Sequence, residues 1–247
     1  MAIPRSGKHV SGKFSWLTIA AFLLAQTAAA NDFAVYSPHV VNGQTEIELR
    51  GYGYRDPGNA RNGTGSKEIS VAYGITRWWK AELYAGRFAR GQDGTTRRAG
   101  YEFENTFQLA YAGEYWADPG FVISYVHNRL PGTPSSVEFG PLFEHWSGHV
   151  VQRVNFIWEK QVGRHAGGQY AFRTAYSAGY KFRPALVTGI EAYYRPADNA
   201  NQIGPAISGE IQRADGSELE YSVAVLYGVN PGAPKQTLIF RMEYGFF

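Results

Sequence analysis

The chain has 247 residues, enough for one large domain or two small ones, and no cysteine, which excludes disulfides, thiolate metal sites and a cysteine nucleophile. Charged residues make up 18% and aromatics 15%, with 29 glycines, which excludes a bundle of membrane helices and suits many strands joined by turns. The formal charge of +3 rests on Arg5, Lys8 and Lys13; without them acids and bases balance, which argues against a nucleic-acid binder.

Those three cations begin the first expected element. They precede an apolar run from Trp16 to Ala25 and the small-residue sequence Ala28-Ala29-Ala30. This is the layout of a secretory signal peptide over residues 1–30, cleaved near Ala30, and the apolar run is too short to cross a bilayer as a helix.

After a short lead with Pro38 and Gly43, alternation of period two begins and persists to the end. It sets Ile69, Val71, Tyr73 and Ile75 opposite Glu68, Ser70, Ala72 and Gly74, and later Leu238, Phe240, Met242, Tyr244 and Phe246 opposite Arg241, Glu243 and Gly245. Twelve such runs are expected, near 44–54, 68–76, 79–89, 99–111, 120–128, 136–146, 149–159, 170–182, 185–194, 203–212, 217–227 and 237–247. Each has the length a tilted strand needs to cross a bilayer. Connections after even-numbered runs tend to be tight, as at Ser147-Gly148 and Asp215-Gly216, and the others are longer and richer in Gly, Pro and Asn. The expected fold is therefore all-β: one antiparallel up-and-down transmembrane barrel of about twelve strands over residues 31–247, in the bacterial outer membrane.

Two features favour a barrel over a soluble β-sandwich. Trp78, Trp79, Trp116 and Trp146 fall at or beside the expected periplasmic turns, as an interfacial aromatic girdle requires. The chain also ends on an aromatic strand whose Tyr244, Phe246 and Phe247 resemble the C-terminal signal that the barrel-assembly machinery reads; Phe247 is one residue beyond the usual end of that pattern.

With the aromatic face toward lipid, the other face lines the lumen. It carries Glu46, Glu48, Glu68, Glu82, Glu102, Glu104, Glu138, Glu144, Glu159, Glu191, Glu210, Glu220 and Glu243 against Arg50, Lys80, Arg153, Arg173, Lys181 and Arg241. Such a wall would set ion preference, and Gln at both Glu102 and Glu104 is expected to weaken a preference for cations. Arg87 and Gln152 break the alternation, and Arg87 is expected near the outer rim. The longer connections are basic, with Arg55, Arg61, Lys67, Arg90, Arg97, Arg98, Arg129, Lys160, Arg164, Arg195 and Lys235 against Asp56, Asp93 and Asp198. They suit anionic solutes or the phosphates of outer-leaflet lipid, including lipopolysaccharide. Twelve strands about 4.8 Å apart and tilted about 40° give a backbone diameter of roughly 24 Å, which side chains reduce to a bore of roughly 10 Å or less.

No catalytic, metal or cofactor site is expected. His145 and His149 flank a tight turn, which reads as interfacial polarity before a metal pair, and no Gly-x-Ser-x-Gly element, P-loop or dinucleotide fingerprint occurs. Val71-Ala72-Tyr73-Gly74-Ile75-Thr76, leading into Ala81-Glu82-Leu83-Tyr84, resembles a hairpin element of the outer-membrane barrels associated with the MetA pathway of phenol degradation. The layout also resembles uncharacterised proteobacterial outer-membrane proteins. These resemblances imply a barrel that passes small molecules and name no substrate. The expectation is a narrow passive channel with a charged lumen and no enzymatic chemistry; the alternatives are a closed lipid-contacting barrel and a lipid hydrolase with an unrecognised Ser/His pair.

Overall fold

The computed structural model describes residues 33–247, so the expected signal peptide lies outside the described residues. Twelve strands follow one another: β1 (Thr45–Arg55), β2 (Gly65–Thr76), β3 (Trp79–Arg90), β4 (Thr96–Gln108), β5 (Asp118–Asn128), β6 (Ser135–Ser147), β7 (Val150–Val162), β8 (Tyr170–Arg183), β9 (Leu186–Tyr194), β10 (Gln202–Gln212), β11 (Glu218–Gly228) and β12 (Gln236–Phe246). Each pairs antiparallel with its sequence neighbours, and β1 pairs with β12 from Thr45↔Phe246 to Arg55↔Gln236, which closes the sheet. Closure leaves no unpaired strand edge, which hydrocarbon would not tolerate.

Alternation decides the two faces. Val71 and Leu238 are 53% and 52% exposed on the outside, while their neighbours Ala72 and Thr237 are 2% and 0% exposed on the inside. The outward Ile47, Leu49, Ile69, Leu83, Ile123, Ile207, Val223 and Met242 extend this apolar surface around the barrel. Water would penalise so large an apolar face, and lipid satisfies it. Connections at one end are tight: Gly148 takes a φ of +58° in the link from β6 to β7, which a side chain would strain. The exception at this inner end is the β4–β5 connection, residues 109–117.

Arg87 breaks the alternation without leaving the lumen. The β3–β4 register shifts between Tyr84 and Arg87 and again between Arg87 and Phe88. This irregularity adds a residue to β3 and turns Arg87 into the lumen, where it is 2% exposed, in the outer part of the strand. Gln152 remains outside the lumen pattern and accepts a hydrogen bond from the Tyr176 hydroxyl at 2.9 Å.

Residues 33–41, read above as a mere lead, form an extended strap through the lumen. Phe33 packs against Tyr52, Tyr54 and Tyr193 in the outer half of the barrel. Asn155 of β7 grips the middle of the strap, accepting from the Tyr36 amide at 2.7 Å and donating to the Tyr36 carbonyl at 3.1 Å. Farther toward the inner end, Ser37 donates to Glu144 at 2.9 Å, His39 lies 2.9 Å from Asp118, and the Val40 amide donates to Gln108 at 2.9 Å. Apolar lumen residues flank the strap on both sides, with Val122, Leu142 and Ile157 around Ala34 and Tyr36, and Ala175, Leu226 and Ile239 around Phe33 and Val35. Burial of Phe33 and Val35 contributes about 1.5–3 kcal/mol each.

Candidate functional site: the lumen and its strap

The lumen has two unlike walls. On β1–β6, acidic and basic residues alternate along cross-strand rows and interlock. Arg50 contacts Glu68 at 2.7 Å and Glu48 at 3.5 Å, and donates to the Tyr84 hydroxyl at 2.7 Å; Arg87 contacts Glu68 at 2.9 Å. Lys80 pairs with Glu46 at 2.6 Å, and Ser70 donates to Glu82 at 2.5 Å. Arg173 crosses from β8 to Glu138 at 2.6 Å. Single buried carboxylates in such a place would be costly, and the guanidinium groups between them supply both charge and donors. Glu102 and Glu104 are 0% and 2% exposed. They lie within the packed wall beside the strap, beyond the reach of a solute in the remaining space.

The wall on β7–β12 is built differently. Ser177, Ser208 and Ser222 and the small residues Gly189 and Ala206 face the lumen there, and short side chains leave a cavity of about 100 Å³ between wall and strap. Arg153, Arg241 and Glu191 reach this cavity. The side chains of Arg153 and Arg241 are 34% and 26% exposed, against 7% for Arg50. Arg153 contacts Glu144 at 2.6 Å and Arg241 contacts Glu48 at 3.1 Å, while Glu191 accepts from the Tyr193 hydroxyl at 2.8 Å. Glu243 lies beside Glu48 and Glu220 in the strand register, and Glu220 is exposed toward the inner mouth.

The aromatic residues singled out at the turns divide as well. Trp78, Trp79 and Phe107 stack outside the barrel with centroids 6.0–6.3 Å apart, and Trp116 stacks on His145 at 4.9 Å. Trp146 has the lumen parity of Glu144 instead, and its indole N–H donates to that carboxylate at 2.6 Å. A second outward cluster, Phe139, Trp158, Tyr170 and Phe172, lies toward the outer end, away from the four tryptophans singled out at the inner turns. At the C-terminus Tyr244 stacks on Phe246 at 5.7 Å, and Phe247 is exposed.

Several loop cations are committed to the loops themselves. Arg61 contacts Asp56 at 3.1 Å and donates to the Gly232 carbonyl at 2.6 Å, Lys160 donates to the Gly168 carbonyl, and Arg195 lies over the Phe33 ring at 4.9 Å. In the connections, hydrogen bonds from Thr95 hold the Asp93 carboxyl below its ordinary value, and those from Ser217 do the same for Asp215. One Ser/His contact occurs on the outward face near the outer rim, Ser135 Oγ at 3.3 Å from His127 Nδ1. Among the described residues no carboxylate or amide orients the other nitrogen of that ring, as a hydrolytic triad requires. No group of three or more His, Asp or Glu suited to a metal occurs among the described residues.

No family model matches the chain, and neither does any curated protein. Solved structures do. An outer membrane channel from Pseudomonas putida F1 superposes with a TM-score of 0.52 at 12% identity, covering 83% of this chain and 96% of that one. The NanC porin superposes with a TM-score of 0.51 at 11% identity, covering 81% of this chain and 99% of that one. The likeness is one of fold. Together with the closed sheet and its apolar outer face, it makes the chain a β-barrel of the bacterial outer membrane.

Proposed function

We propose that this protein is a narrow passive channel for small molecules, with the strap as a resident constriction and the route running beside it along β7–β12. The observation that carries the reading is the cavity left by the small residues of that wall, bordered by Arg153, Arg241 and Glu191. Charged groups at a constriction select among solutes by sign. In this reading Arg153, Glu191, Arg241 and Glu243 face the passing solute, whereas Glu46, Glu48, Arg50, Glu82, Glu102, Glu104, Glu138 and Arg173 hold the barrel and strap in shape. Trp78, Trp79 and Trp116 anchor the barrel at the inner interface, and the assembly machinery reads Tyr244, Phe246 and Phe247. Residues 1–30 direct export, and loop cations such as Arg90 and Arg97 meet lipid phosphates, including those of lipopolysaccharide.

The test is single-channel recording of the refolded chain from Asn31 onward in a planar bilayer, with liposome swelling by small sugars in parallel. Discrete conductance steps with swelling support the channel. A folded barrel silent in both assays overturns it and favours a closed lipid-contacting barrel. Release of fatty acid from labelled phospholipid, lost in Ser135→Ala, would instead establish a lipid hydrolase built on the Ser135–His127 contact.

A further inference from the structure

Arg153 and Arg241 border the cavity beside the strap with terminal nitrogens that the protein's own acceptors use little. Arg153 spends its Nε on Glu144, and its terminal nitrogens have no hydrogen-bond partner among the described residues. Arg50 also lines the cavity, and its buried Nη2 makes no hydrogen bond among the described residues and lies 3.7 Å from Glu102. Arg241 contacts Glu48 through Nε and, among the described residues, makes one long contact from Nη1, 3.5 Å to the Val35 carbonyl. Of the acids that line the same space, Glu68 is held by Arg50 and Arg87, and Glu191 accepts from Tyr193 through one oxygen. Arg153 and Arg241 are partly exposed, so a molecule that brings acceptors would replace water on their terminal nitrogens and gain charge-assisted bonds there.

The remaining surface limits what that molecule can be. Ser177, Ser208 and Ser222 offer hydroxyls from one side, while Phe33, Val35 and Tyr193 present apolar and aromatic surface from the other. A guanidinium fork matches the two oxygens of a carboxylate, and desolvation by the flanking apolar surface strengthens the pairing. A volume of about 100 Å³ admits a small organic ion and not a sugar chain.

We propose that this cavity is a binding site for small organic carboxylates, with Arg153 and Arg241 taking the carboxylate and the strap contributing Phe33 against the apolar body. The assignment rests on the channel reading for its role in passage, but binding itself does not depend on conduction. Two measurements therefore separate the two. Benzoate, acetate and the uncharged benzyl alcohol are added to the conducting channel, and each is also titrated calorimetrically into the detergent-refolded protein.

Benzoate is expected to interrupt the current and to bind saturably, acetate more weakly, and benzyl alcohol not at all. Arg153→Gln should weaken benzoate at least tenfold; Ser222→Leu, which fills the cavity without touching a charge, should do likewise, so that misfolding of either variant alone leaves the test intact. Conduction with no benzoate binding, or binding unchanged in both variants, overturns the site. Saturable binding lost in the variants without any conduction supports the site and overturns the channel.

Discussion

The two walls of the lumen solve the same problem in opposite ways. On β1–β6 long charged side chains fill the interior and neutralise one another, so that Arg50 and Glu102 are almost completely buried. On β8–β11 serine, glycine and alanine face inward, and the space they leave is taken by the strap and a cavity. A barrel of this size can thus be filled by its own side chains on one side and keep a cavity on the other. Charge count along the lumen is a poor guide to what borders the cavity, because most glutamates of β1–β6 are packed within the wall and, among the described residues, only Glu68 of them lines it.

Removing the strap should break the contrast outright. A chain that begins at Val41 loses the packing of Phe33 and Tyr36 and the grip of Asn155, and exposes Glu102 and Glu104 to the lumen. Its single-channel conductance should at least double, and its preference should move toward cations. Unchanged conductance in a folded barrel would mean that the strap leaves the lumen in the native membrane. The milder variant Asn155→Leu, which deletes only the two bonds to Tyr36, should produce flickering between the two conductance levels.

The next contrast concerns stability. Arg50→Met removes one of the two guanidinium partners of Glu48 and of Glu68 inside the packed wall, leaving Arg241 and Arg87, and should lower stability by about 1.5–3 kcal/mol in urea unfolding of the refolded barrel. Arg153→Met on the open wall removes a partly exposed partner of Glu144, which keeps the Ser37 hydroxyl and the Trp146 indole as donors, and should cost less than Arg50→Met. Equal losses would show that the two walls are equally packed.

Much of this was legible in the sequence, and the failures have definite causes. Strand number, faces and the lumen position of most charges follow from alternation, because a one-residue slip would carry every Glu into lipid. The face of Arg87 misled because an irregularity in pairing leaves no mark on alternation beyond the break itself; the small pair Ala85-Gly86 is the only trace of it. Trp146 misled because position beside a turn says nothing of parity, and it shares the face of Glu144. The strap is nine residues without a periodic signal, yet its imprint was present. Val122, Leu142, Ile157 and Leu226 are apolar at lumen positions, which a water-filled interior does not explain and a packed segment does. The reach of solvent to each carboxylate depends on that segment, so the sequence placed Glu102 and Glu104 in a filter.

That misplacement makes a smaller and sharper test. With the strap in place, Gln at both Glu102 and Glu104 should leave reversal potentials in asymmetric salt unchanged, since neither side chain meets the solute. The same pair of substitutions in the chain beginning at Val41 should reduce cation preference. A shift in the intact chain would place the conducting route along β3–β5 and undo the division into two walls.

The smallest expected effect supplies the control. Asp215 lies in the β10–β11 turn, outside both walls, and accepts from the Ser217 hydroxyl at 2.7 Å and the Ser217 amide at 3.0 Å. These bonds hold its carboxyl below the ordinary value of 3.8, so the stability they confer is fully present above 3.8 and is lost as pH falls through the lowered folded-state value. Asp215→Ala should therefore unfold at slightly lower urea than the parent near neutral pH, with the gap closing only in strong acid. Conductance, ion preference and benzoate binding should all stay unchanged, because a turn that closes a hairpin steadies β10 and β11 without altering what either strand shows to the lumen. If this variant moved conductance, the passage would be sensitive to barrel dynamics in general, and effects of Arg153 or the strap could not be assigned to the wall they occupy.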